Sequence, residues 1–200
     1  MSKPNNSLGE KIYDFPFLYK LKIDILNKIN NLDVNFNKLI ENRKVLDIGC
    51  GSYQTRYDTN LPKIRVGIDP SRNAVVAANK LYPKNKHLVG SADSLPFSNL
   101  SFDVSLLLYV LHHIPKNRWK KVLKEAVRVT KNKIIIFDHI RNNNPFLACL
   151  QMLYWNTFDG GDHYATEQEW QDILKNFNIK SYKRLGKLFD HICYYEISLK

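Results

Sequence analysis

Val45-Leu46-Asp47-Ile48-Gly49-Cys50-Gly51-Ser52 is the stretch from which the fold is read. Val45, Leu46 and Ile48 form a short apolar run of the kind buried in a parallel sheet. Gly49 and Gly51 then let the backbone turn tightly and come close to a ligand. Asp47 places an acceptor beside that turn. The dinucleotide fingerprint G-x-G-x-x-G requires glycine at position 54, where Gln54 stands, so a loop that cradles a pyrophosphate is poorly supported. The stretch reads as the first strand and cofactor loop of an α/β nucleotide-type fold, with an acid-led loop suited to a different ligand.

The next segments fit that reading. Ile64-Arg65-Val66-Gly67-Ile68-Asp69 reads as a second apolar strand ending in an acid, and Asp69 follows Gly49 by 20 residues, a spacing at which an acid typically accepts from ribose hydroxyls. Gly90-Ser91-Ala92-Asp93-Ser94-Leu95-Pro96-Phe97 leads into Phe102-Asp103-Val104 and on to Val110-Leu111-His112-His113-Ile114. With these residues the chain resembles the class I S-adenosylmethionine-dependent methyltransferases, in particular their small-molecule, type 11-like branch, from about Lys44 to the C-terminus. The resemblance implies that Asp47, Gly49 and Gly51 surround the methionine part of the cofactor, that Asp69 holds the ribose, and that Ala92 and Asp93 take the adenine amino group. Leu108 completes the implied contacts. Tyr53 stands where the family often has a third glycine, and Ser52 to Lys63 is poor in helical periodicity, so a reduced or irregular helix is expected there.

Outward from this centre, strand and helix alternate. Arg72 to Tyr82 has a compact apolar helical face and Arg118 to Thr130 a second, with Trp119, Val122, Leu123, Ala126 and Val127 inside. His87 to Val89, Val104 to Leu108 and Ile134 to Phe137 read as further strands. The rhythm argues for parallel β-α-β units with right-handed crossovers. Phe17 to Asn30 predicts an N-terminal helix, with Tyr13 or Tyr19 near the cofactor, and Leu32 to Asn42 a shorter one. After Ile140 the rhythm changes: Phe146 to Trp155 is an apolar helix candidate, Asp159 to Tyr164 a flexible polar connection, and Thr166-Glu167-Gln168-Glu169 a capping box opening a helix to about Phe177. Ile179 to Arg184 and Ile192 to Ser198 are two final strands. The fold class is therefore α/β, a Rossmann-like doubly wound sheet, and the resemblance supplies seven strands with the last antiparallel.

One domain is expected over residues 1–200, because 23.4 kDa with 44% hydrophobic residues supports one substantial core. It divides into an N-terminal helical segment (1–43), a cofactor-binding core (44–139), a substrate cover (140–165) and a C-terminal helix with the final strands (166–200). Cys50, Cys149 and Cys193 lack metal or disulfide spacing, so no metal is expected and a reducing, cytoplasmic setting fits. The N-terminus has no signal-peptide core, and no apolar run is long enough to span a bilayer. The formal charge of +11 could serve a nucleic acid or an anionic lipid surface. Only 8 of the 30 basic residues are arginine, which favours a solvated basic face over nucleic-acid recognition.

In an open α/β sheet the ligand crevice lies beyond the carboxyl ends of the strands. A sulfonium methyl is already reactive, so the chain must mainly align the acceptor and exclude water, with a base needed only when the acceptor loses a proton. Asp138 and His139 are the candidates for that base and its orienting partner, with His113 second and a helix-capping role the alternative for His112 and His113. Trp155, Phe158, His163 and Tyr164 are available to line a pocket under the cover, and simple packing against the sheet edge is the competing role. The expected activity is methyl transfer from S-adenosylmethionine, leaving S-adenosylhomocysteine, to a small-molecule or lipid-like acceptor. A nucleic-acid methyltransferase and a non-catalytic cofactor-binding relative are the alternatives.

Overall fold

The structure is a computed structural model, and it describes residues 34–52, 57–158, 160–186 and 191–200. The helix expected over Phe17 to Asn30, together with Tyr13, Tyr19 and Tyr53, lies outside the described residues.

Seven strands form a single sheet: β1 (Lys44–Ile48), β2 (Ile64–Asp69), β3 (Lys86–Val89), β4 (Phe102–Leu108), β5 (Thr130–Ile140), β6 (Ile179–Leu185) and β7 (His191–Ser198). Their spatial order is β3-β2-β1-β4-β5-β7-β6, with β7 antiparallel to both neighbours and β1 to β5 parallel. Strand order reverses between β1 and β4, which places the expected ligand crevice at their carboxyl ends.

Period-two alternation sorts the apolar strand residues into two cores. Leu46, Ile48, Leu107, Ile134 and Ile136 point to one face, and Val45, Leu106, Ile135 and Phe137 to the other. On the first face lies α3 (Lys116–Val129), whose Trp119, Val122, Leu123, Ala126 and Val129 recur at helical spacing and are buried, leaving Lys120, Lys121 and Lys124 in solvent. Trp119 stacks on Trp170 of α5 (Glu167–Leu174) with ring centroids 4.9 Å apart. On the second face the short α1 (Phe36–Ile40) packs Phe36 edge-on against Phe137 at 5.3 Å.

Local chemistry sets the helix starts. The Ser71 hydroxyl accepts from the Ala74 N–H at the start of α2 (Arg72–Leu81). At α5 both arms of the capping box form: the Glu169 N–H donates to Thr166 Oγ1 at 3.2 Å, and the Thr166 N–H donates to Glu169 Oε2 at 2.7 Å. Residues 57–63 carry no helix, in line with their weak periodicity.

Several boundaries differ from the sequence reading. β5 begins at Thr130, opposite Phe102 of β4, and runs through Asp138 and His139 to Ile140 because β7 pairs with it that far, with Asp138 opposite Cys193 and Ile140 opposite His191. The preceding helix correspondingly ends at Val129. α4 spans Pro145–Phe158, longer than its apolar run, and α5 stops at Leu174. Residues 160–164 are not a loose connection: the Asp162 and His163 N–H groups both donate to the His112 carbonyl, at 3.2 and 2.9 Å, and the Arg141 N–H donates to the Ala165 carbonyl at 2.8 Å.

Candidate functional site

The turn after β1 is fastened to β2. The N–H groups of Gly49 and Cys50 both donate to the Ile68 carbonyl, at 2.8 and 3.2 Å. Gly49 has φ +71°, and a Cβ there would lie 2.6 Å from Val110 Cγ2, so glycine is required both by conformation and by packing. Gly51, at φ +57°, is different: among the described residues a Cβ would meet nothing within 4 Å. Its N–H donates to Asp69 Oδ2 at 2.9 Å, and the Ser71 N–H donates to Oδ1 at 2.9 Å. Burial raises the Asp69 carboxyl above its ordinary range despite those two donors. Cys50 in the same turn is buried, and burial together with Asp47 and Asp69 pushes its thiol up, which argues against a nucleophile.

Asp47 sits beneath this turn in a charged cluster that the sequence reading missed. Its Oδ2 accepts from Arg65 Nη2 and from the Tyr57 hydroxyl, each at 2.7 Å, and Arg65 Nε donates to the same hydroxyl at 2.7 Å. Arg65 Nη1 lies 2.6 Å from His87 Nε2, and His87 Nδ1 lies 3.0 Å from Asn79 Oδ1. Nδ1 therefore carries the proton and Nε2 accepts, and burial with the neighbouring guanidinium pushes the His87 ring down to about 4. The available signal was Arg65 itself, a cation inside an apolar strand that has to find a partner.

Ala92 packs half-buried against the first core, and Leu108 is buried in the second. Asp93 is buried apart from its edge. Ser91 Oγ donates to its Oδ1 at 2.6 Å, and Arg118 forks onto Oδ2 through Nε at 2.8 Å and Nη2 at 2.6 Å. The Ser91 bond and the guanidinium hold this carboxyl below the usual range. The turn that follows is pinned by Arg128, which donates to the Leu95 and Phe97 carbonyls, while Glu125 accepts from the Leu95 N–H and from Arg128 and is pushed down to about 2.

At the ends of β4 and β5 the structure joins residues far apart in sequence. The Asp138 carboxylate pairs with His112 Nδ1 at 2.5 Å and also accepts the Leu111 and His139 N–H groups at 2.9 and 2.8 Å. Burial opposes its charge, but His112 outweighs that and holds the carboxyl below the usual range. The imidazole that Asp138 orients is thus His112, across the strand pair, and the His139 ring lies 5.1 Å from it. His112 stacks on Tyr164 at 5.1 Å, Trp155 stacks on Tyr164 at 4.3 Å, and the His139 ring lies 4.8 Å from Trp155 and 4.9 Å from Tyr109. Tyr109 holds φ +59°, a strained conformation for an aromatic residue, and its N–H is tied to the Phe137 carbonyl at 2.7 Å. Trp155 and Tyr164 are buried against each other beside His112 and His139, whereas His163 is partly exposed.

A family description, methyltransferase domain, matches residues 46–137, which run from β1 into β5. The uncharacterised methyltransferase YcgJ of Bacillus subtilis is 30% identical over 113 residues, 52% of this chain and 44% of that protein. The demethylmenaquinone methyltransferase of Thermotoga maritima is 28% identical over 158 residues, 70% of this chain and 68% of that protein. The chain thus spans less than half of the first relative and about two thirds of the second. Among solved structures, magnesium protoporphyrin IX methyltransferase from Synechocystis, with bound SAH, superimposes with a TM-score of 0.65 at 16% identity, covering 92% of this chain and 87% of that one. No helix among the described residues is long and apolar enough to cross a membrane. Residues 46–137 thus match the methyltransferase-domain family, and the strand order is that of the class I S-adenosylmethionine-dependent methyltransferase fold.

Proposed function

We propose that this protein transfers the methyl group of S-adenosylmethionine to a small-molecule or lipid-like acceptor at the carboxyl ends of β1, β2, β4 and β5. The observation that carries the reading is the Gly51 cradle: a left-handed glycine with no described residue within 4 Å of where a side chain would project, beside the half-buried Asp69 carboxylate. Those features suit a ligand that needs close backbone approach and an acceptor for hydroxyls.

Gly49 and Gly51 would border the methionine part, Asp69 would accept from the ribose, and Ala92 and Asp93 would flank the adenine, with Leu108 closing the pocket. Asp47 acts from below, since its carboxylate is committed to Arg65 and Tyr57 and holds the turn rather than touching the ligand. Bound S-adenosylmethionine supplies an activated methyl, so the protein's part is alignment and water exclusion. The roof of Trp155 and Tyr164 over His112 and His139 excludes water on the acceptor side. His139 is the proposed base for an acceptor that loses a proton, and Asp138 positions His112 beside it. Three free cysteines agree with work in the cytoplasm.

Calorimetric titration with S-adenosylmethionine and S-adenosylhomocysteine tests the reading. Stoichiometric binding that Asp69→Ala weakens by about 1–3 kcal/mol is expected for a lost charged hydrogen bond. No binding by the folded wild-type protein would overturn it. With an acceptor in hand, His139→Gln should lower kcat, whereas unchanged kcat would remove His139 from the chemistry.

A further inference from the structure

We propose that the outer face of α4 docks this protein on the surface of an anionic lipid bilayer. Residues 142–158 contain no Asp, Glu, Lys or Arg. Two faces of the helix do different work. Ala148, Gln151 and Trp155 point inward, where the Gln151 side chain accepts the Asn142 N–H at 2.6 Å and Trp155 meets His139 and Tyr164. Phe146, Leu150 and Leu153 recur at helical spacing on the opposite side and are 71%, 39% and 67% exposed. A helix that is apolar on its solvent side as well as its protein side is incomplete in water.

Charge selects the occupant. Helix α3 begins at the same edge of the sheet and exposes Lys120, Lys121 and Lys124. Its start is tied to the approach to α4 through Glu169, which lies 2.7 Å from Lys116 Nζ and 3.7 Å from Arg141 Nη2. A second copy of a chain carrying +11 would bring like charge against like, whereas an anionic bilayer offers this chain opposite charge and an apolar interior. Interfacial helices combine these two contributions, buried apolar area and attraction to acidic headgroups. Here the helix supplies the first and α3 the second.

Sedimentation of the full chain with vesicles of phosphatidylcholine and phosphatidylglycerol in equal parts, against pure phosphatidylcholine, tests the docking. Binding to the mixed vesicles, weaker to the neutral ones and falling with salt, is expected. Phe146→Ser/Leu153→Ser should lower the partition by on the order of tenfold or more, from the apolar area that two side chains no longer bury. Lys120→Glu/Lys124→Glu should abolish the preference for acidic lipid. Circular dichroism checks that each variant is folded, and Phe146→Ser alone replaces the double variant if it is not. No binding to mixed vesicles at low salt, or binding indifferent to the apolar substitutions, would overturn the proposal, as would a dimer in light scattering that those substitutions dissociate. S-adenosylmethionine affinity should be unchanged in all of these variants, so failure of the docking and failure of the methyl-transfer reading are separately visible.

Discussion

The carboxylate of Asp47 and the guanidinium of Arg65 face each other at 2.7 Å across β1 and β2, with side chains 2% and 1% exposed. An ion pair this deep is costly to assemble and more costly to break on one side. Arg65→Met leaves the Asp47 charge without its cation beneath the glycine turn and should lower stability by about 3–5 kcal/mol in urea unfolding. Asp47→Leu/Arg65→Met removes both charges and should be the less destabilised of the two variants. A loss in the double variant equal to the sum of the Asp47→Leu and Arg65→Met losses would show that the pair is not coupled.

The proton balance of His87 makes stability depend on pH with a definite sign. Its folded ring titrates near 4 and its unfolded ring near 6.5, so between these values the unfolded chain binds a proton that the folded chain refuses. This contribution is therefore fully present above about pH 6.5 and is lost progressively as pH falls toward 4. Urea midpoints measured across that window should fall more steeply for wild type than for His87→Gln. Parallel slopes would show that Arg65 and burial do not hold this ring neutral.

Asp69 titrates in the opposite sense. Burial raises its carboxyl, and the ribose hydroxyls would need it ionised. S-adenosylmethionine affinity should decline as pH falls through that raised value, and the decline should be absent in Asp69→Asn, which binds weakly throughout. Calorimetric titrations at several pH values separate the two patterns.

Gly161 lies against the His112 ring, and a Cβ there would stand 2.2 Å from Cδ2 and 2.9 Å from the Tyr164 hydroxyl. Gly161→Ala should push His112 off Tyr164 and off the Asp138 carboxylate, costing about 1–3 kcal/mol by overpacking. The downfield Nδ1 proton of His112 in NMR should move in this variant while S-adenosylmethionine affinity holds. An unmoved resonance would mean that residues 160–164 yield instead of the ring.

How far the sequence could be read follows from how local each signal is. The strands, the helix starts at Ser71 and Thr166 and the glycine turn were legible because each depends on neighbours within a few positions: apolar period, a capping hydroxyl, a residue free to take positive φ. The antiparallel last strand was legible only through resemblance, and the order in which the strands lie came from the structure. The length of β5 was not, since hydrogen bonds from β7, more than fifty residues later, extend it past the apolar run to Ile140.

At the site, the sequence by itself determined which residue types stand at the strand ends: Asp47 near the end of β1 with Gly49 and Gly51 after it, Asp69 as the last residue of β2, and Asp138 with His139 on β5. Tertiary structure decided what each acid faces. Asp47 meets Arg65 because β1 and β2 run side by side with Val45 opposite Arg65, and Asp93 meets Arg118 because α3 begins beside it. Asp138 meets His112 because β4 and β5 are parallel neighbours whose ends coincide. A carboxylate's partner is fixed by whichever donor the packed chain brings within 3 Å, and that proximity is a property of strand pairing rather than of sequence spacing.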